Sequence, residues 1–264
     1  MKKQILLCLT PIVLMACEES LSVRDVCTEK PEFCNDLNKD GRCNNERREV
    51  IINRMIEYKK PDDGNKYRLL VDLEVYSKCI ELYSQIEHKK LKENKSARVR
   101  AFHTSLREIK RLQEQTKHSE MPELLYYHWS RLGNEEAMEK LEKLEEDGKI
   151  KSQPMLVSMA AYYTKFDQDK TIRTLYRALE IKTDDDEILK EIFSTLTSIF
   201  YKKGEIKLAY IWGKAAEYKG AENIELSPLT LALKEEGRDI DKLDSLAQKT
   251  VSDIEDGSFK APKK

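Results

Sequence analysis

The chain has 264 residues and a formal net charge of -1, with 36 % charged and 40 % hydrophobic residues. Near-neutral charge excludes the strong electrostatic footprint of a nucleic-acid binder, or of a protein held on acidic lipid by charge alone. Glycine and proline are sparse, at 9 and 7, while Lys, Glu, Leu, Ala and Arg dominate, a composition that favours helix.

Residues 1–16 open with Lys2 and Lys3 and continue as an apolar run from Ile5 to Val13. That run is too short to span a bilayer as a stable helix, so it reads as a processing signal rather than an anchor. No later segment is long and apolar enough to cross a membrane. The run ends at Leu14-Met15-Ala16-Cys17, which resembles the lipobox of bacterial lipoproteins. The resemblance implies cleavage before Cys17, a lipid on its sulfur, and attachment to the cell envelope through acyl chains. One chain binds marginally and several hold firmly; members of this class typically carry three. Glu18 stands where an aspartate would favour retention in the inner membrane, which points to the periplasmic face of the outer membrane.

Residues 17–46 form a cysteine-rich segment. Cys8 lies in the signal and Cys17 takes the lipid, which leaves Cys27, Cys34, Cys43 and Cys79. Four thiols in an oxidising compartment read as two disulfides, with three pairings open. At least one bridge must tie this loop-like segment to the helix carrying Cys79. The competing zinc reading lacks a close pair of ligands. Asp36-Leu37-Asn38-Lys39-Asp40-Gly41 resembles the first half of an EF-hand loop. The resemblance implies a structural calcium ion with side-chain oxygens from Asp36, Asn38 and Asp40, the carbonyl of Arg42, and Glu46 standing one place early for the closing carboxylate. An Asx-rich turn leading into a helix near Asn44 or Asn45 accounts for the same residues.

Residues 47–121 read as helices. Val50, Ile51, Met55 and Ile56 share one side of Arg47–Tyr58, and Pro61-Asp62-Asp63-Gly64 ends that pattern. A second helix runs from Tyr67 to about Leu91 on Leu70, Leu73, Tyr76, Ile80, Tyr83 and Ile86. A third runs from Ser96 to about Lys117 on Val99, Phe102, Leu106, Ile109 and Leu112, all at 3–4 spacing.

Residues 122–255 carry an internal repeat. Aromatic doublets recur at Tyr126-Tyr127, Tyr162-Tyr163 and Phe200-Tyr201, 36 and 38 residues apart. Turn candidates follow at Gly133, Asp167 and Gly204. A second amphipathic stretch comes next: Ile172, Leu175, Ala178 and Leu179, then Ile206, Ala209, Trp212 and Ala216. Large residues on one helix and small ones (Thr171, Ala178, Ala209, Ala216) on the next let paired helices approach closely. This pattern resembles degenerate tetratricopeptide or Sel1-like repeats, whose period is about 34 residues. A non-repetitive bundle is the alternative. A fourth pair runs from Pro228 through Gly237 to about Ile254. Residues 256–264 read as a flexible tail.

The expected fold is therefore all-α: antiparallel helix pairs forming a solenoid, preceded by a disulfide-braced loop segment. Adjacent helical residues point about 100° apart, so each doublet can send one ring to the core and one to the concave face. Tyr127, Trp129, Tyr163 and Tyr201 are the candidate partner contacts. His88, His103, His118 and His128 are scattered, and no metalloprotease, nucleophile-elbow or phosphate-loop motif occurs. The sequence thus reads as a non-enzymatic envelope platform for another envelope protein, bound to the membrane through its lipid, with no nucleic-acid partner and no cofactor beyond a structural calcium. A calcium-stabilised structural lipoprotein and, further off, a cell-wall-acting enzyme are the alternatives. In general form the chain resembles envelope lipoproteins of Gram-negative bacteria that join a cysteine-rich amino terminus to helical repeats.

Overall fold

The computed structural model describes residues 21–86, 92–183 and 185–262. All regular structure among them is helical: thirteen α-helices packed in neighbouring pairs. They form two compact units, one ending at Leu124 and one beginning at Leu125. Cys17 and the whole apolar run lie outside the described residues.

The first unit holds α1 (Val23–Glu29), α2 (Glu32–Asn35), α3 (Asn44–Lys59), α4 (Asp63–Ser84) and α5 (Lys92–Thr116). The amino-terminal segment is braced by disulfides and contains two short helices where the residue pattern suggested only loop. Ser22 caps α1 by accepting from the Asp25 amide, and Asp62 caps α4 by accepting from Asn65 at 2.8 Å. Such caps satisfy amides that the first helical turn leaves without partners. Val50, Ile51, Met55, Leu69, Leu70, Leu73, Tyr76 and Ile80 are buried between α3 and α4 and their neighbours.

Helix α5 departs from its expected face. Leu106 is exposed, and the buried positions are Arg98, Ala101, Thr104, Ser105, Leu112 and Thr116. The reason is steric and electrostatic. Small side chains let α5 lie close to α4, its main packing partner, and Arg98 must reach an acidic residue inside the unit.

The second unit contains α6 (Pro122–Leu132), α7 (Glu135–Glu146), α8 (Gln153–Tyr163), α9 (Gln168–Leu179), α10 (Asp186–Lys202), α11 (Ile206–Tyr218), α12 (Ser227–Glu235) and α13 (Ile240–Glu255). The doublets lie on α6, α8 and α10, with α8 packed on α9 and α10 on α11, and each expected turn is present. Gly133 and Gly204 close their helices at φ +68° and +73°, a left-handed conformation that a side chain disfavours. Asp167 instead caps α9, accepting from the Lys170 amide at 2.8 Å. Thr171, Ala178, Ala209 and Ala216 are all buried, as close helix packing requires. Gly213 carries the same logic further: a β-carbon there would meet Leu226 Cδ2 at 2.6 Å.

Residues 256–262, expected as part of a flexible tail, fold back onto the second unit. Phe259 is 9 % exposed, and the Ala261 amide donates to Glu180 Oε1 at 2.9 Å. An aromatic side chain close to an apolar groove gains more by burial than a free end gains in entropy.

Candidate functional site

The acidic loop between α2 and α3 is the centre of a dense polar network among the described residues of the first unit. Asp36 receives a two-pronged contact from Arg54, with Nη1 at 2.8 Å and Nη2 at 3.1 Å from its two oxygens. Arg54 Nη1 also donates to the Phe33 carbonyl at 2.9 Å. Asp40 Oδ2 accepts from Arg98 Nε at 2.6 Å, while Oδ1 accepts from the Asn38 side-chain amide at 2.8 Å. Asn38 Nδ2 further donates to the Arg42 carbonyl at 2.9 Å, and Asn38 Oδ1 accepts from the Tyr76 hydroxyl at 2.8 Å. Arg54 is 5 % exposed, Arg98 2 % and Asn38 fully buried.

The electrostatics follow from that geometry. Burial alone would raise the Asp40 carboxyl, but hydrogen bonds from Asn38 and Arg98 outweigh it and hold the group below the usual carboxylate range. Burial pushes the Tyr76 phenol up to about 12, so it remains a hydroxyl donor to Asn38. Arg47 lies half-buried beside the same cluster, its Nη2 donating to the Cys34 carbonyl at 3.4 Å. Desolvation by burial lowers its pKa.

Calcium does not fit this loop as arranged. A calcium ion needs several oxygens converging with free lone pairs. Asp36 and Asp40 are already neutralised by guanidinium groups, and Asn38 turns its amide protons toward Asp40 and the Arg42 carbonyl. Glu46 lies elsewhere, beside Cys43 and Cys79. Those three side chains sit within metal-binding reach of one another, but the two sulfurs are bonded together and offer no thiolate. Asp36, Asn38 and Asp40 are thus held in one network, and Arg54 of α3 and Arg98 of α5 supply the positive charge.

Both disulfides belong to this unit. Cys27 pairs with Cys34, joining α1 to α2, and Cys43 pairs with Cys79, joining the start of α3 to α4. Of the three pairings open to the sequence, this one closes the acidic loop from both sides. Cys43 adopts a left-handed φ of 53°, which costs a β-carbon-bearing residue about 1–2 kcal/mol. The bridge to Cys79 holds it there.

The second unit carries the other candidate surface, and it needs correction. Tyr127 and Tyr163 are core residues, the latter with no exposure at all, so neither can meet a partner. Their neighbours Tyr126 and Tyr162 are half-buried, packed against the edge of the core. The helical phase places the second ring of these doublets inside, because Tyr163 must pack with Leu141, Leu156 and Leu175 in the same core. Trp129 is half-buried, 5.6 Å from Tyr126 and 4.7 Å from Tyr162, and Tyr162 meets Phe166 at 4.8 Å. These four rings make a ladder along α6 and α8, tilted at Tyr126–Trp129 and edge-to-face beyond it, ending in Phe166 at 62 % exposure. Tyr201 is exposed as expected, at 58 %. Phe166 escaped the sequence reading because it lies in the turn after α8, beyond the doublet that drew attention.

A family model described as a protein of unknown function, DUF2989, matches residues 14–214. The chain belongs to that family. No curated protein and no solved structure matches it. The family match takes in Cys17, the acidic loop, both disulfides and the aromatic ladder, and it stops within α11. Helices α12 and α13 and the folded-back end lie beyond it.

Arg54 and Arg98 are the residues that sequence reasoning missed. Arg54 interrupts the apolar face of α3 between Ile51 and Met55, and Arg98 precedes a small-residue stripe on α5. A charged residue in phase with buried positions was the available signal.

Proposed function

We propose that this chain is a lipid-anchored protein of the bacterial envelope. It is cut before Cys17, held on the periplasmic face of the outer membrane, and presents its paired helices as a platform for another envelope protein. The observation that carries the reading is the cysteine accounting. The four cysteines of the described residues pair with one another, so none of them is left for Cys17. The stretch Leu14-Met15-Ala16-Cys17 behind a basic, apolar segment supplies a use for it. Two disulfides a short distance beyond suit an oxidising compartment.

The chain from Cys17 to Val23 spans at most about 20 Å when extended. The braced first unit would therefore sit directly at the lipid surface. The second unit, from Leu125 onward, offers helix pairs and the Tyr126–Phe166 ladder, the kind of extended surface that helical repeats use without a chemical site.

The test is expression of the whole chain and its Cys17→Ser variant in a Gram-negative host. The parent is expected to incorporate labelled fatty acid and fractionate with outer membrane; the variant is expected to do neither. Equal fractionation without label would sink the anchor. Crosslinking with mass spectrometry in intact cells reads the platform: the same partner should crosslink in replicate cultures, and Phe166→Ala should weaken it. No reproducible partner would remove that half of the reading.

A further inference from the structure

Residues 257–262 pack against an aromatic surface contributed by α9 and α11. After α13 the backbone turns at Gly257, φ +76°, where a side chain would press Lys182 Cβ at 3.2 Å. The Ser258 and Phe259 amides both donate to the Asp253 carbonyl at 2.8 Å. This stops the helix and directs Phe259 onto Tyr176 of α9 and Trp212 of α11, with ring centroids 6.3 Å from each. Trp212 in turn stacks on Phe193 of α10 at 5.6 Å. Two residues beyond Phe259, the Ala261 amide donates to Glu180 Oε1. Ser258 and Lys260, on either side of Phe259, are exposed.

One ring in, both neighbours out, and a main-chain amide on a carboxylate are how a surface reads an extended peptide: backbone bonds give affinity and a side-chain pocket gives specificity. The family match stops at Lys214. Tyr176, Glu180, Phe193 and Trp212 therefore lie inside the matched region, and the segment that covers them lies outside it.

We propose that the aromatic groove of Tyr176 and Trp212 is a peptide-binding site, that residues 257–262 occupy it as an intramolecular plug, and that its ligand is an extended protein segment presenting one aromatic side chain to the groove and a backbone amide to Glu180. This deepens the platform reading and rests on it. The plug needs little intrinsic affinity. A short tether to α13 gives it an effective concentration on the order of millimolar, so a partner segment displaces it when it binds more tightly or is itself held nearby.

The experiment uses the full-length chain and its Phe259→Ala variant, each titrated with a fluorescent peptide of residues 256–262. Phe259→Ala is expected to keep a cooperative melt and to bind the peptide at least about tenfold more tightly than the parent, because the tethered competitor has lost its anchor. A peptide with alanine in place of its phenylalanine is expected not to bind, and Glu180→Gln in the Phe259→Ala background to weaken binding. The proposal is overturned if parent and variant bind alike, or if the variant folds and does not bind. Loss of the cooperative melt in Phe259→Ala also overturns it, because the segment is then part of the core rather than a plug. None of these outcomes touches lipid attachment at Cys17 or the partner crosslinks at the Phe166 ladder, so failure of the groove and failure of the wider reading are separable.

Discussion

The two units of this molecule are held together by different physics. The first encloses a polar cluster in which buried arginines meet carboxylates, and it carries both disulfides. The second is built on an apolar and aromatic core running from Leu125 to Phe259, with its ion pairs nearer the surface. Glu145, which pairs with Arg177 and lies near Thr174, is its main buried charge. Burying charge is expensive unless every partner is in place. A segment with few apolar residues, such as residues 21–46, cannot be fixed by burial alone and needs crosslinks and a polar network. A run of amphipathic helices needs neither. The difference suggests why the cysteines are confined to the amino-terminal side.

That contrast can be broken at its strongest point first. Arg98→Met should destabilise the first unit by about 3 kcal/mol, since it leaves the half-buried Asp40 carboxylate without its cation. Phe193→Ala should cost the second unit about as much, by leaving a cavity. Hydrogen exchange resolved along the chain should show each loss confined to its own unit; a loss spread evenly over both would mean that they unfold as one.

Next come the crosslinks. Replacing Cys43 and Cys79 by serine should cost about 4 kcal/mol, and replacing Cys27 and Cys34 about 2 kcal/mol, because the longer loop regains more freedom when opened. Equal losses in chemical denaturation would show that Cys43–Cys79 does not anchor the acidic loop.

A pH series sharpens the comparison further. The Asp40 carboxyl is depressed in the folded state. Its contribution is therefore complete above the unfolded-state value, about 4, and is lost as pH falls through the lower folded-state value. Parent protein should lose first-unit stability on that acid limb. Asp40→Asn should be less stable at neutral pH and show a shallower acid slope; an unchanged slope would remove Asp40 as a cause.

The smallest effect concerns calcium. With the acidic loop already neutralised by Arg54 and Arg98, the melting midpoint should be the same in calcium and in chelator. A rise of several degrees with calcium would show that the loop rearranges to bind it.

Much of this was legible in the residues. The helix pairs of the second unit follow from the doublets and from Gly133, Asp167 and Gly204, because periodicity and turn chemistry are local. Small residues at Thr171, Ala178, Ala209 and Ala216 marked the close contacts for the same reason. The acidic loop was visible as Asp36, Asn38 and Asp40, but its counter-ions were not: Arg98 comes from a helix 58 residues beyond Asp40. Nor could spacing tell which ring of Tyr162-Tyr163 turns inward, since that depends on where the next helix lies.

By itself, then, the sequence determined the all-helical class, the helix pairs, the number of bridging cysteines and the stretch ending at Cys17. These depend on neighbours within a turn or two, or on composition. Only the tertiary structure decided the disulfide pairing, the arginines set against Asp36 and Asp40, the inward turn of Tyr127 and Tyr163, and the return of Phe259 to Trp212. Apart from Cys27–Cys34, seven residues apart, each of those joins residues far apart in the chain, and the energy that selects them exists only once the helices are packed.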